Sequence, residues 1–367
     1  AAMAGRFGMA PPREPGHQQL HFAYHFDASL YAAMLRRYSE RLGVVRIEGK
    51  VSRAVQDAES GDVTALALAD GREIAGDFFL DCSGFHGVLI EETLGAGYDD
   101  WSRWLPCNRA VAVQSGRLER LSPFTRSTAL DAGWQWRIPL QHRTGNGHVF
   151  CDAFTSEDAA TDALLARLDT PAIIEPRMLR FVTGRRRKTW DRNVVALGLA
   201  GGFLEPLEST SIYMVQSALA KLMMLFPRDH VNPAVARLYN AMMATEWERV
   251  RDFVVAHYKV TERDDTPFWA HCRDMAIPDT LAERLALFEE EGLFVEQPHD
   301  LFKEGSWASV LIGQGMMPRR HHPAAGAAPR EALDSQLGRM RAAVAARLAE
   351  LPEHGVYIDH CLGRAAA

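Results

Sequence analysis

Residues 194–226 read "VVALGLAGGFLEPLESTSIYMVQSALAKLMMLF", which is an apolar strand, a glycine-rich turn, an acidic and hydroxyl-rich stretch, then a long apolar run. That order commits this part of the chain to a strand, a turn and a helix in an α/β layer. Gly198, Gly201 and Gly202 let a ligand approach the backbone closely. Ser209, Thr210 and Ser211 fall where the helix begins. The first N–H groups of a helix have no partner within it, and together with the positive end of the helix dipole they form an anion site. The run "IYMVQSALAKLMMLF" is apolar on nearly every side. It predicts a central helix and a site shielded from water, where electrostatic contacts gain strength. Glu205 and Glu208 lie at the same helix end, either capping its free donors or contacting a ligand.

The rest of the chain falls into three kinds of pattern. "LHFAYHF" alternates like a strand, and Asp27 then caps a helix with Leu30, Tyr31, Met34, Leu35, Tyr38 and Leu42 at helical spacing. "VVRIEGKV" and a hairpin around Asp70-Gly71 follow, then a buried strand, "DFFLDCSGF", that ends in Gly84. From 111 to 182 strands dominate, with "GWQWRIPL" and "HVFCDAF" on either side of a Gly145-Asn146-Gly147 turn and one helix capped by Ser156. From 231 to 367 the pattern is mostly helical. The expected organisation is a discontinuous α/β domain (1–110 and 183–230), an antiparallel sheet layer (111–182) and a helical region (231–367).

Composition closes several other routes. The 367 residues are 47% hydrophobic and 24% charged with a net charge of −6, typical of a globular protein. The only dense basic cluster, Arg185 to Lys188, is short, which argues against a nucleic-acid partner. The longest apolar run is broken by glycines, which argues against a membrane span and for a soluble, cytoplasmic protein. The five cysteines are scattered without a C-x-x-C pair, which argues against disulfides or a thiolate zinc site. Strand-like alternation through His17, His21 and His25 spoils the helical spacing that a metal site there would need. Three G-x-G pairs occur without a third glycine, so none is a dinucleotide fingerprint, and no Walker or G-x-S-x-G motif is present. Trp134 and Trp136 share one strand face and could wall a cavity for a flat aromatic substrate.

Several motifs together resemble the flavin-dependent tryptophan halogenases. "RNVVALGLAGGFLEPLESTSI" is similar to that family's strand, turn and halide-site helix, and "GWQWRIP" to its W-x-W-x-I-P motif at Trp134, Trp136, Ile138 and Pro139. "FDASLYAAMLRRYSERLGV", "DCSGFHGVLI", "HYKVTERDDTPFW" and "SWASVLIGQGMMP" look like family segments in family order. The resemblance implies a three-layer FAD-binding flavoprotein fold, incomplete at its N-terminus. It also implies an enzyme that uses reduced FAD, oxygen and chloride or bromide to halogenate the indole ring of tryptophan or a relative.

On the same resemblance Glu208 is the active-site glutamate, which positions the halogenating species or accepts the ring proton. Thr210 and Ser211 bind the halide, although the family more often has glycine where Ser211 stands. Read from the residues themselves, Ser83, Gly84, Gly198, Gly201, Gly202, Phe203 and Leu204 are the expected cofactor contacts, and Trp134, Trp136, Phe268, Trp269 and Trp307 the expected lining of the substrate pocket. A separate flavin reductase is the implied partner, and a homodimer is compatible with the pattern. The family's G-x-G-x-x-G turn and reactive lysine have no counterpart before the matching region, and none of the five lysines sits in such a context. The expectation is therefore a chain that begins inside a longer protein. The rival readings are an FAD-dependent aromatic monooxygenase and a catalytically silent relative.

Overall fold

The computed structural model describes residues 1–9, 22–321, 323–327 and 329–364. Helix α1 (Ala28–Arg41) starts at Asp27, whose carboxylate accepts hydrogen bonds from the amides of Ser29 and Leu30. Strands β1 (Val51–Gln56), β2 (Val63–Leu68) and β3 (Glu73–Ala75) form an antiparallel meander, with β2 and β3 turning at Asp70-Gly71. Next come β4 (Phe79–Asp81) and β5 (Tyr98–Asp100).

The largest sheet is built from β6 (Arg109–Ser115), β7 (Arg126–Leu130), β8 (Gly133–Pro139), β9 (Thr144–Phe150) and β10 (Arg177–Arg180). They are antiparallel throughout, in the order β10-β6-β9-β8-β7. Helix α2 (Glu157–Leu165) lies between β9 and β10 in the chain, and the Ser156 hydroxyl caps it by accepting from the Ala159 amide.

Four short strands follow: β11 (Gly184–Arg186), β12 (Trp190–Asp191), β13 (Val194–Ala196) and β14 (Gly202–Phe203). Among the described residues β13 with β4 is the one parallel pair, and it places the ends of both strands side by side. The 3-10 turns Gly84–His86 and Gly198–Ala200 therefore lie against each other. The remainder is helical: α3 (Ser211–Leu225), α4 (Pro233–Lys259), α5 (Pro267–Asp274), α6 (Asp279–Glu291), α7 (Glu304–Gly313), α8 (Pro323–Ala327), α9 (Arg330–Glu350) and α10 (His354–Cys361).

Helix α4 is the spine of the core. Its Tyr239, Met243, Trp247, Val250, Phe253 and Val254 are buried in one cluster with Met214, Ala218 and Leu222 of α3 and with Trp134 and Val149 of the large sheet. Each such large apolar side chain contributes about 1.5–3 kcal/mol on burial. The long helix thus welds the glycine-rich turn to the sheet that carries the tryptophans.

Several expectations fail, each for a physical reason. Gly145, Asn146 and Gly147 are not a turn but part of β9, and the chain reverses at 140–143 instead, where Leu140 N–H donates to the Arg143 carbonyl. Gly147 lies opposite Trp136 in the ladder, and a Cβ there would stand 2.0 Å from the indole. The glycine is a seat for an aromatic ring across the strand. Gly147→Ala should therefore destabilise the protein by about 1–3 kcal/mol by lifting Trp136 off the sheet, which denaturant unfolding measures.

Helix α3 is not shielded: Met214, Ala218 and Leu222 are buried, but Ile212, Leu219, Met223 and Met224 are exposed. Helix α1 forms with no buried residue at all. Among the described residues nothing packs on these faces, so apolar spacing specified the helices without specifying their cover. Among the described residues, 22–26 and 44–50 form no strand, and Leu80 in β4 is 45% exposed.

Cys107, Cys151 and Cys272 are buried, Cys82 and Cys361 are exposed, and all are free thiols. Among the described residues no helix is long and apolar enough to cross a membrane. His17 and His21 lie outside the described residues, as does His322, while His25 meets the Thr125 hydroxyl at 3.2 Å.

Candidate active site

The segment from 205 to 211 runs between two cavities. Pro206–Glu208 make one 3-10 turn, and Ser209 follows with a left-handed backbone (φ 54°), a strained state for a residue with a side chain. This kink redirects the chain into Thr210, the residue that precedes α3. Leu207 lines the cavity on the sheet and helix side, whereas Thr210 and Ser211 line the cavity on the glycine side.

The glycine-side cavity encloses about 570 Å³. Gly198, Gly201, Gly202, Phe203 and Leu204 line it together with Thr210 and Ser211, so seven of the residues singled out from sequence meet in one place. Phe26, Tyr31 and Leu35, from α1 and the segment before it, form the opposite wall and were not anticipated. Gly198 has φ +61°, which a side chain would strain. The lining is mostly apolar and the glycine turn exposes backbone, so the residues present fit the flat ring system of a flavin. The 367 residues contain no G-x-G-x-x-G turn for a pyrophosphate.

Ser83 and Gly84 do not line this cavity. The Ser83 hydroxyl and amide donate to the buried Asp81 carboxylate, which also accepts from the amides of Leu89 and Ile90. Thus Ser83 serves the turn that rests against Gly198–Ala200. Thr210 is buried with no side-chain cap bond, and the helix behind it begins with Ser211. The first-turn amides of α3 stand at the edge of the cavity, ready for an anion.

The second cavity, about 380 Å³, lies between β7, β8, α4, α5 and α7. Trp134 and Trp269 form its aromatic walls, with Tyr258 beside them. The Trp269 indole N–H donates to the Leu130 carbonyl at 2.7 Å, which fixes that ring. Trp136 packs at 6.0 Å from Trp134 but does not line the cavity. Phe268 and Trp307 are fully buried core residues, wedged among Phe154 and Trp269 and among Phe253 and Phe294 respectively. None of the five lysines lines either cavity. Lys221, for instance, is spent on the buried Glu246 of α4, 2.9 Å away.

The two glutamates of the turn sit in opposite environments. Glu205 is 0% exposed, and its Oε1 accepts from the Tyr258 hydroxyl at 2.5 Å and from the Trp134 indole N–H at 3.2 Å. Its Oε2 has no partner among the described residues. Burial pushes its carboxyl up to about 7, against the two donated hydrogen bonds. Burial likewise raises Tyr258 and Cys107, whose sulfur lies 3.6 Å from the Tyr258 oxygen. Glu208 is partly open to solvent, with Oε1 2.8 Å from His257 Nε2. Glu205 is thus a brace for the tryptophan wall, whereas Glu208 lines neither cavity and borders the aromatic one through His257.

The two cavities, the turn between them and the tryptophan wall find their match in known proteins. The tryptophan halogenase family model matches residues 1–330. The chain belongs to the flavin-dependent tryptophan halogenase family. It is 35% identical over 336 residues to tryptophan 6-halogenase ThaL of Streptomyces albogriseolus, covering 86% of this chain and 63% of that protein. It is 32% identical over 354 residues to tryptophan 7-halogenase RebH of Lentzea aerocolonigenes, covering 90% and 67%. The chain therefore spans about two thirds of the length of these relatives. Among solved structures, a flavin-dependent halogenase from Xanthomonas campestris superposes with a TM-score of 0.95 at 46% identity, covering 98% of this chain and 72% of that one. BrvH from Brevundimonas, another flavin-dependent halogenase, gives 0.95 at 43% identity, covering 98% and 74%. These halogenases share the α/β flavoprotein architecture.

His257, Tyr258 and Arg263 were not singled out from sequence, although "HYKVTERDDTPFW" contains all three. Their approach to the turn depends on the register of α4, which spacing alone does not fix.

Proposed function

We propose that this protein acts as a flavin-dependent halogenase on an indole ring. The observation that carries the reading is the turn 205–211, which touches both cavities at once. An oxidised halide produced on the glycine side would pass beside this turn to reach an aromatic ring held by Trp134 and Trp269. Reduced FAD, when bound, supplies with oxygen the oxidising power that turns chloride or bromide into a halogenating species.

Gly198, Gly201, Gly202, Phe203 and Leu204 would hold the flavin ring, with Ser83 and Gly84 buttressing the glycine turn from behind. The amides at Thr210 and Ser211 would hold the halide. Glu208 would take the proton that leaves the halogenated carbon, returning the C–H electron pair to the ring. The route requires a separate source of reduced flavin, which a flavin reductase provides.

Arg263 and His257 line the aromatic cavity, and among the described residues no aspartate or glutamate lines it. An α-ammonium thus finds no carboxylate in this lining, the nearby Glu208 being engaged by His257. The expected result is halide-dependent halogenation in which plain indoles show a KM no higher than that of free tryptophan. Product assays with and without bromide test this. Oxygenated product formed without halide would instead make the protein an aromatic hydroxylase.

A further inference from the structure

His257 is held more tightly than a surface histidine. Its Nδ1 lies 2.8 Å from the Phe253 carbonyl one turn back on α4, and its ring stands edge-on to Phe253 at 4.9 Å. Phe253 is in turn stacked on Phe302 at 3.9 Å and packed against Trp307. The Gln314 side chain donates to the His257 carbonyl. With both ring and backbone fixed, Nε2 meets Glu208 Oε1 at 2.8 Å.

A carbonyl only accepts hydrogen bonds, so Nδ1 must carry a proton. In the neutral ring Nε2 would then present a lone pair to an ionised carboxylate oxygen, which is repulsive at this distance. The contact is attractive only when the pair holds one further proton between Nε2 and Oε1. We propose that His257 is a positioning residue for Glu208: the proton that its Nε2 shares with Oε1 fixes the carboxylate, leaving Oε2 to receive the ring proton. This role rests on the halogenation reading above. It explains how a partly exposed glutamate next to an apolar cavity keeps one orientation.

Other charged or titratable groups surround the pair. Glu205 shares its turn, Tyr258 follows on α4, Cys107 lies behind Tyr258, and Arg263 lines the same cavity while paired with Asp265. β8 contributes Trp134, and α7 contributes Ser309 and Gln314, none of which titrates. Of these groups Glu205 changes charge nearest neutrality, at about 7, and the His257 charge pulls it down, so the His257→Gln profile is compared with the same substitution in a Glu205→Gln background.

The first test needs no turnover. In the 367-residue chain carrying 15N-labelled histidine, the His257 resonances, assigned by their loss in His257→Gln, should show both ring nitrogens protonated at pH 7. In Glu208→Gln only Nδ1 should remain protonated. A neutral His257 in both proteins overturns the proposal whether or not the protein halogenates.

The second test is kinetic, in the protein that turns over. Loss of an opposite charge raises the pH at which a carboxylate protonates, so His257→Gln should move the acid limb of the kcat profile to higher pH. It should lower kcat roughly tenfold while leaving KM for the indole nearly unchanged. In a Glu208→Gln background the same substitution should cost nothing further. An unmoved acid limb, or full additivity of the two losses, would assign His257 a purely structural role. Wild-type protein that makes no halogenated product would sink the halogenation reading instead, and the imidazole measurement would still decide the pairing.

Discussion

Glu208→Gln is expected to reduce halogenated product formation by ~100-fold or more, the usual cost of losing a positioned general base. Glutamine keeps the shape of the side chain and its contact with His257, but it cannot carry away a proton. Glu208 does not line the glycine-side cavity, so binding of flavin by that cavity should stay near the wild-type level. The check is product formation in halide-containing buffer alongside flavin binding measured on the same protein. A normal rate in this variant would remove Glu208 from the mechanism, and a joint loss of activity and flavin would mean that the turn itself had collapsed.

The second large effect concerns stability rather than activity. A carboxyl whose pKa is raised in the folded state keeps its proton when the unfolded chain has already released it. Stability then falls as pH rises from the ordinary value near 4.5 to the folded value near 7, and stays reduced above it. The difference corresponds to about 3 kcal/mol. Glu205→Gln removes that penalty, because the amide oxygen accepts from Tyr258 and Trp134 as the carboxyl did. The variant should match wild type at or below pH 4.5 and be more stable by up to about 3 kcal/mol above pH 7. Denaturant midpoints at pH 4.5 and 8.5 measure both arms. Equal stability at both values would mean that Glu205 is not held neutral by its burial.

The pairing of these two substitutions separates the two glutamates of one turn. Both belong to the sequence "LEPLEST", and spacing alone left open which one capped the helix and which one met a ligand. The structure finds neither as a cap, since Thr210 precedes the helix and no side-chain cap bond forms. It divides the glutamates by environment: one is sealed against Trp134 and Tyr258, and the other opens toward His257. Groups of one chemical type in unlike surroundings can thus take unlike roles.

Local pattern was enough to specify the strand, glycine turn and helix around Gly198 to Leu225, the cap at Asp27, the hairpin at Asp70-Gly71 and the antiparallel character of the tryptophan-bearing region. These are local matters, set by periodicity, glycine placement and capping side chains. The motifs of the sequence also sufficed to identify the family. Tertiary structure alone decided that Gly147 seats an indole instead of making a turn, because that contact crosses two strands. It alone decided that Trp134 and Trp269 wall a cavity while Phe268 and Trp307 fill the core, since all four are aromatic and differ only in what packs around them. The meeting of Glu208 with His257 is of the same kind: the two lie 49 residues apart, and only the packing of α4 against the turn brings them within 2.8 Å.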